Sequence, residues 1–96
     1  MTAFNVVRFR ILPGKERAFL ESHGPGKITW PGLRRGTIIK IGDGDYCVIG
    51  EWPNEATLRA AMPQMLATLD TFRGVLQPTP SGVTEAFSGP AVLAIA

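Results

Sequence analysis

Residues 34–52, RRGTIIKIGDGDYCVIGEW, decide the fold of this chain. The two ends of this stretch are rich in β-branched and aromatic side chains, which favour strands. Between them lies the segment Gly42-Asp43-Gly44, whose glycines tolerate a positive φ. The stretch therefore predicts an antiparallel β-hairpin with strands over residues 34–41 and 45–52.

The segments before the hairpin predict a strand, a short helix and a crossover. Residues 4–11 (FNVVRFRI) have strand composition, and the Leu12-Pro13-Gly14 segment that follows marks a break. Residues 15–23 place apolar residues at helical spacing over about two turns. Residues 24–33 hold three glycines and two prolines around Trp30, which predicts an irregular crossover held in place by that side chain.

A second helix is predicted after the hairpin. Asn54 is a suitable N-cap, and apolar residues recur at helical spacing from Leu58 to Phe72. Pro63 lies inside this stripe, where it lacks an amide hydrogen and clashes with the preceding turn. The sequence therefore predicts a kink or a restart at Pro63.

The end of the chain predicts a loop and a divided strand. Residues 77–82 are expected to form the loop, and residues 83–87 and 92–95 have extended character. Ser88-Gly89-Pro90 is expected to interrupt them, so the second piece is predicted to be an edge strand or an arm.

The order strand, helix, two strands, helix, strand predicts an α+β, ferredoxin-like β-α-β-β-α-β domain. Right-handed crossovers place the first and third strands side by side in the centre of an antiparallel sheet. Because successive side chains of a strand point to opposite faces, Asn5, Val7, Phe9 and Ile11 are expected to face the helices. The other face is predicted to combine two kinds of side chain, Phe4, Val6, Ile38, Cys47 and Ile49 with Arg8, Arg10, Lys40 and Glu51.

The composition favours a homodimer formed through that other face. A chain of 96 residues forms one domain, residues 1–96, and buries only about two-thirds of its unfolded surface. The hydrophobic content of 45% supplies more apolar side chain than one small core consumes. The excess is therefore expected to contact a second copy.

Charge and cysteine content argue against other partners. Ten Lys and Arg against eight Asp and Glu are mixed along the chain, so no nucleic acid partner is predicted. The start of the chain lacks a basic segment followed by an apolar one, and residues 91–96 are too few to span a bilayer, so no membrane partner is expected. A single Cys47 in a strand-like run favours a reducing compartment, with the cytoplasm as the expected location.

Several motifs resemble those of the antibiotic biosynthesis monooxygenase superfamily. Phe4-Asn5-Val6-Val7-Arg8-Phe9-Arg10 leading to Pro13-Gly14-Lys15-Glu16, and Ile49-Gly50-Glu51-Trp52 leading into a helix, are similar to its members. Leu69-Asp70-Thr71-Phe72-Arg73 and Ser88-Gly89-Pro90-Ala91-Val92-Leu93 resemble an uncharacterised branch. The resemblance covers nearly the whole chain and implies a dimeric α+β barrel, with a pocket between sheet and helices in each subunit. The reactions it implies include cofactor-free oxygenation of aromatic polyketides and quinols, and haem degradation.

The resemblance also implies site residues. In the oxygenase branches a Trp at the end of the third strand and an Asn on the first strand line the pocket, for which Trp52 and Asn5 are the candidates. Counted back from Pro13-Gly14, Val7 stands at the position of the Asn in the haem-degrading branch. That branch has a His on its second helix, whereas residues 59–76 contain none. No haem or other cofactor is therefore expected.

Each candidate side chain has a chemical and a structural interpretation. His23, the only imidazole, suits proton abstraction from a phenol or quinol, and equally suits contact with free carbonyls at a helix end. Trp52 either stacks on a planar substrate or fills core space. Tyr46 and Asn5 either hold a substrate oxygen or form hydrogen-bonded walls. The predicted catalytic residues are Trp52, Asn5 and His23, and the predicted substrate-binding residues are Tyr46, Val7 and Phe9.

Two functions remain open. One His, one Cys and scattered carboxylates form no evident metal site, and Gly24-Pro25-Gly26-Lys27 lacks the rest of a phosphate loop. The first function is a cofactor-independent monooxygenase of a small aromatic or quinol substrate, which itself reduces oxygen once deprotonated. The second is a non-catalytic or small-ligand-binding dimeric module of the same fold.

Overall fold

Four antiparallel strands form one sheet in the computed structural model, which describes residues 1–80 and 82–96. In chain order the elements are β1 (Ala3–Arg10), α1 (Glu16–Glu21), β2 (Arg35–Gly42), β3 (Asp45–Trp52), α2 (Glu55–Ala60), α3 (Met62–Phe72), a 3-10 turn (Arg73–Val75) and β4 (Glu85–Pro90). The strand order in space is β2-β3-β1-β4. The central pair is the one that right-handed crossovers require, so the predicted α+β ferredoxin-like fold is confirmed.

The hairpin of β2 and β3 contains a β-bulge beside its turn. Pairing is regular from Arg35↔Glu51 to Lys40↔Tyr46 and then shifts before Gly42↔Asp45. Ile41 is therefore an extra residue on β2.

The bulge places two residues on a different face from the predicted one. A regular hairpin closed by Asp43-Gly44 would pair Ile38 with Ile49 and Lys40 with Cys47, on the face away from the helices. With the bulge, Ile38 pairs with Val48 and Lys40 with Tyr46, on the helix side. The prediction for Ile38 and Lys40 is therefore wrong, and Ile39 takes the place of Ile38 beside Cys47.

The second helical region consists of two helices. Asn54 caps α2, because its Oδ1 accepts a hydrogen bond from the Thr57 amide at 2.8 Å. α2 ends at Ala60, and α3 begins with Pro63 in its first turn, where the missing amide hydrogen removes no helical hydrogen bond. The predicted restart at Pro63 is confirmed. No helix in the described part of the chain is long and apolar enough to cross a membrane.

β4 is continuous where the sequence predicts a break. It runs through Ser88-Gly89-Pro90 and pairs with β1 from Arg8↔Glu85 to Ala3↔Pro90. An edge strand tolerates Pro because one row of its backbone groups has no partner in the sheet. The predicted interruption is therefore wrong. Of the two alternatives for residues 92–95, the edge strand is wrong, since residues 91–96 belong to no element, and the arm stays a prediction. In the predicted loop 77–82, Ser81 lies outside the described residues.

The helices cover one face of the sheet and form two core clusters with it. The larger cluster surrounds the fully buried Phe19, and the smaller surrounds the fully buried Trp52. Trp30, in the loop before β2, packs against both clusters. The predicted crossover is thus held by its single aromatic residue.

The opposite face of the sheet, which we call the open face, mixes apolar and charged side chains. Phe4, Ile39 and Phe87 are 38%, 41% and 67% exposed. Arg8 donates two hydrogen bonds to Asp45, at 2.6 and 3.1 Å, which joins β1 to β3. The cross-strand pairs put the following residues on this face: Phe4, Val6, Arg8, Arg10, Arg35, Thr37, Ile39, Asp45, Cys47, Ile49, Glu51, Glu85 and Phe87.

Candidate functional site

A cavity of about 180 Å³ lies between the sheet and the helices of the second helical region. β1 and β4 supply most of one wall and α3 supplies most of the other. Val48 of β3, Leu58 of α2, Trp30 and His23 also line the cavity. Leu66 of α3 lines the cavity and is 50% exposed, so the cavity opens to the surface beside α3. Most of the side chains that line the cavity are aliphatic, aromatic or methionine side chains. Its residues with polar side-chain atoms are Asn5, His23, Trp30, Thr68, Thr84 and Ser88.

Asn5 brings an amide to the cavity, and Trp52 fixes the orientation of that amide. The indole Nε1 of Trp52 can only donate, so its contact of 2.7 Å identifies the Asn5 oxygen as the acceptor. The amide nitrogen Nδ2 then points to the Met65 sulfur, at 3.7 Å, which is a weak acceptor in the cavity wall. Asn5 therefore offers a hydrogen-bond donor to an oxygen atom of a ligand.

Gly50 leaves the room that this pair needs. Asn5 and Gly50 lie opposite each other on β1 and β3. A Cβ atom at Gly50 would overlap the Asn5 Oδ1 atom and lie 2.9 Å from the Trp52 Nε1 atom. The Gly50-Glu51-Trp52 motif thus supports the orientation of Asn5 from the neighbouring strand.

His23 lies in the wall after the end of α1. Its ring packs on Phe19 and Phe72, with centroid distances of 4.9 and 4.7 Å. Its Nδ1 atom lies 3.1 Å from the Phe19 carbonyl oxygen and 3.0 Å from the Ser22 Oγ atom. Burial lowers the pKa of His23 from its usual 6.5, and the Phe19 carbonyl offsets part of this effect. The imidazole is therefore neutral at pH 7.

Trp30 connects the crossover loop to the cavity. Its Nε1 atom donates to the Thr68 hydroxyl of α3 at 2.9 Å. Its ring stacks on Trp52, with centroids 6.5 Å apart and planes inclined by 17°. Trp52 itself is fully buried behind Asn5 and does not line the cavity.

Tyr46 lies outside the cavity, in the core between α1 and the hairpin. Its hydroxyl donates to the Glu16 carboxylate, and the Lys40 Nζ atom lies 3.5 Å from the same carboxylate. The hydrogen bond between them raises the pKa of Tyr46 and lowers the pKa of Glu16. Tyr46 therefore fastens α1 to the sheet.

The structure brings together only part of the predicted site. Asn5, Val7, Phe9 and His23 line the cavity, whereas Trp52 and Tyr46 do not. Sequence reasoning missed the cavity residues of α3 and β4, among them Met62, Met65, Leu66, Leu69, Ala86 and Ser88. The apolar stripe of the second helix is a signal for the first four, and pairing of β4 with β1 is the signal for the other two. The described residues contain no group of three potential metal ligands.

Comparisons with known proteins address the fold. No protein-family model and no curated protein matches the chain. A Nitrosomonas europaea protein of unknown function matches with a TM-score of 0.75 and 23% identity, over 99% of this chain and 93% of that one. SnoaB, a cofactor-independent oxygenase from Streptomyces nogalater, matches with a TM-score of 0.68 and 21% identity, over 98% and 96%.

A third structure carries the superfamily name. A Chloroflexus aurantiacus protein, provisionally assigned as an antibiotic biosynthesis monooxygenase, matches with a TM-score of 0.71 and 13% identity, over 100% of this chain and 98% of that one. The chain therefore has the fold of the antibiotic biosynthesis monooxygenase structures, as its sequence motifs imply.

Proposed function

We propose that this protein is a cofactor-independent monooxygenase of a single-ring quinol. The observation that carries the proposal is an apolar cavity holding one neutral imidazole, His23, and one oriented amide donor, Asn5. These groups suit removal of a proton from a phenol and binding of a second oxygen atom. The similarity of fold to SnoaB, a cofactor-independent oxygenase, supports the same class of reaction.

The volume of the cavity favours a small substrate. An apolar cavity of about 150 Å³ in another protein binds benzene. The present cavity measures about 180 Å³, which accommodates one substituted ring. The aromatic polyketides that the sequence resemblance implies are larger, so we propose a monocyclic quinol in their place.

The positions of the two polar groups favour a 1,4-quinol. Asn5 adjoins the smaller core cluster through Trp52, and His23 adjoins the larger one through Phe72. Asn5 contacts Met65 of α3, and His23 contacts Phe72 of the same helix. Met65 and Phe72 are seven positions apart, which is about 10 Å along the helix axis. A 1,4-quinol with a hydrogen bond of about 2.8 Å at each oxygen spans about 11 Å. A catechol, whose oxygens are adjacent, spans less of this length, so we propose the 1,4-quinol.

The proposed reaction needs no electron donor besides the substrate. His23 accepts the proton of one quinol hydroxyl, and Asn5 Nδ2 hydrogen-bonds the other oxygen. The phenolate ring transfers electrons to O₂, and a ring carbon binds it as a hydroperoxide. Loss of water then breaks the O–O bond and leaves one oxygen atom on that carbon. One quinol and one O₂ give one hydroxyquinone and one water.

Oxygen uptake tests the proposal, with 1,4-hydroquinone, catechol and resorcinol as substrates. We expect uptake with 1,4-hydroquinone, one labelled oxygen atom in the product from ¹⁸O₂, and no hydrogen peroxide. His23→Asn keeps a hydrogen-bonding side chain but removes the base, and is expected to lower the rate about 10²–10⁴-fold. Arg59→Gln, at an exposed position of α2 outside the cavity, is the matched control. Uptake no faster than without protein, or stoichiometric hydrogen peroxide, contradicts the proposal.

A second candidate is a ligand-binding module without catalysis. It is favoured because His23 is the only ionisable residue among the described residues that line the cavity. Calorimetry under nitrogen separates the two functions. Saturable quinol binding without oxygen consumption in air identifies the binding module.

We also propose that the open face binds the open face of a second copy. A two-fold axis brings a patch against itself, so the patch must carry charges of both signs to be self-complementary. The open face meets this condition with Arg10 and Glu51 beside the exposed Phe4, Ile39 and Phe87. Such a contact forms the two-sheet barrel that the sequence resemblance implies.

A further inference from the structure

The two nitrogen atoms of His23 have different surroundings. Nδ1 points to the end of α1, where it contacts the Phe19 carbonyl oxygen and the Ser22 Oγ atom at 3.1 and 3.0 Å. Nε2 has no hydrogen-bond partner among the described residues. Since His23 lines the cavity, Nε2 is the nitrogen left for a ligand.

Ser22 contacts both Nδ1 and the carbonyl oxygen that Nδ1 faces. Its hydroxyl donates to the Phe19 carbonyl oxygen at 2.6 Å. A hydroxyl has one hydrogen, so the Ser22 oxygen presents only lone pairs to Nδ1. The Phe19 carbonyl oxygen is likewise an acceptor. An unprotonated Nδ1 would face the Phe19 carbonyl, which is a second acceptor, and could gain a donor only if Ser22 gave up its 2.6 Å bond to that carbonyl. The arrangement therefore favours a hydrogen on Nδ1 and the lone pair on Nε2.

We propose that Ser22, together with the Phe19 carbonyl, is a positioning residue that holds His23 in the Nδ1–H tautomer and makes Nε2 the base of the site. This assignment rests on the proposed function, because it names the atom that takes the quinol proton. Nδ1–H remains a donor to both oxygens after Nε2 gains a proton. The same two contacts therefore stabilise the imidazolium that proton abstraction creates.

The groups of the described residues that contact the imidazole are neutral. α1 and its end contribute Phe19 and Ser22, and α3 contributes Phe72. No charged side chain contributes to the change in the pKa of His23. The tautomer is thus set by two oxygen acceptors, without the carboxylate that often orients a catalytic His.

The imidazole ¹⁵N spectrum tests the assignment directly. His23 is the only histidine, so its ring gives one pair of nitrogen signals. Above the pKa of His23 we expect a protonated Nδ1 and an unprotonated Nε2, the reverse of the tautomer that dominates in free histidine. Ser22→Ala is expected to mix the tautomers and lower oxygen uptake, whereas Ser22→Thr, which keeps a hydroxyl, is expected to restore both.

The outcomes separate this proposal from the proposed function. A protonated Nε2 in the wild-type protein overturns it, even if the protein consumes oxygen. A protonated Nδ1 in a protein that consumes no oxygen supports it and contradicts the oxygenase function. A pure Nδ1–H tautomer in folded Ser22→Ala overturns the role of Ser22. If that variant does not fold by circular dichroism, the wild-type spectrum and Ser22→Thr decide the tautomer.

Discussion

Asn5 owes its orientation to residues that lie far from it in the sequence. Strand alternation predicts that Asn5, Val7 and Phe9 share a face, and all three line the cavity. Alternation contains no information about the hydrogen bond from Trp52, because that contact depends on how β1 pairs with β3. For the same reason the sequence marks Trp52 for contact with substrate, whereas the structure places it one layer deeper.

Gly50→Ala is expected to separate Asn5 from Trp52. The new Cβ would overlap the Asn5 Oδ1 atom, and we expect a loss of about 1–3 kcal/mol in the free energy of unfolding, together with weaker quinol binding. Urea unfolding and calorimetry measure the two effects. Gly89→Ala in β4 is the control, because a Cβ at Gly89 meets nothing within 4 Å. Equal stability of the two variants would contradict the role of Gly50.

The stability of the protein is expected to fall as the pH falls from about 7 to about 5, because of His23. Burial lowers the pKa of His23 below 6.5, so the unfolded chain binds a proton at pH values where the folded chain does not. His23→Asn removes this proton uptake. The urea concentration at the unfolding midpoint should therefore decline more with falling pH in the wild type than in His23→Asn. If the midpoints of the two proteins decline in parallel, burial does not disfavour the charged ring.

The position of the hairpin was predictable from the sequence, but the face of the sheet on which each β2 side chain lies was not. Its strands begin and end within about one residue of the predicted limits, because β-branched runs and a Gly-rich turn are local signals. The bulge at Ile41 reverses the facing of Ile38 and Lys40, and it is visible only in the register between β2 and β3. β4 shows the same limit, because pairing with β1 overrides the local preference of Ser88-Gly89-Pro90 to end a strand.

Asn54→Ala is expected to destabilise α2 by removing its cap. The Asn54 Oδ1 atom accepts from the Thr57 amide, and loss of such a cap costs about 1 kcal/mol. Asn54→Ser keeps an oxygen acceptor and serves as the control. We expect it to lower the free energy of unfolding by only a few tenths of the loss caused by Asn54→Ala. Urea unfolding of both variants measures the difference. An equal loss in both would mean that the side-chain oxygen does not act as the cap.

The composition of the chain points to association, and the structure identifies the surface available for it. Excess apolar content is a property of the whole sequence, whereas the placement of Phe4, Ile39 and Phe87 on one face requires the sheet. Whether the open faces of two copies pair depends on two chains, and the structure describes one. Their pairing therefore remains a prediction, with a direct test in solution.

Ile49→Lys is expected to prevent formation of the proposed dimer. Ile49 lies on the open face, where dimer formation would bury the new charge at a cost of several kcal/mol. Light scattering at micromolar concentration should give about twice the chain mass of 10.4 kDa for the wild type and the chain mass for the variant. Leu20→Lys, an exposed apolar position on α1, is the matched control and should remain dimeric. A wild-type monomer would contradict the proposed interface.

The stacked pair of Trp30 and Trp52 also gives the protein an optical signal of its own. These are the only two tryptophans of the chain, so all of its indole fluorescence arises beside the cavity. Trp30 lines the cavity and Trp52 does not, so a bound aromatic ring quenches one emitter by contact and the other only at a distance. Trp30→Phe leaves the shielded emitter alone. Occupancy of the cavity can therefore be followed by emission without a label, under nitrogen as well as in air.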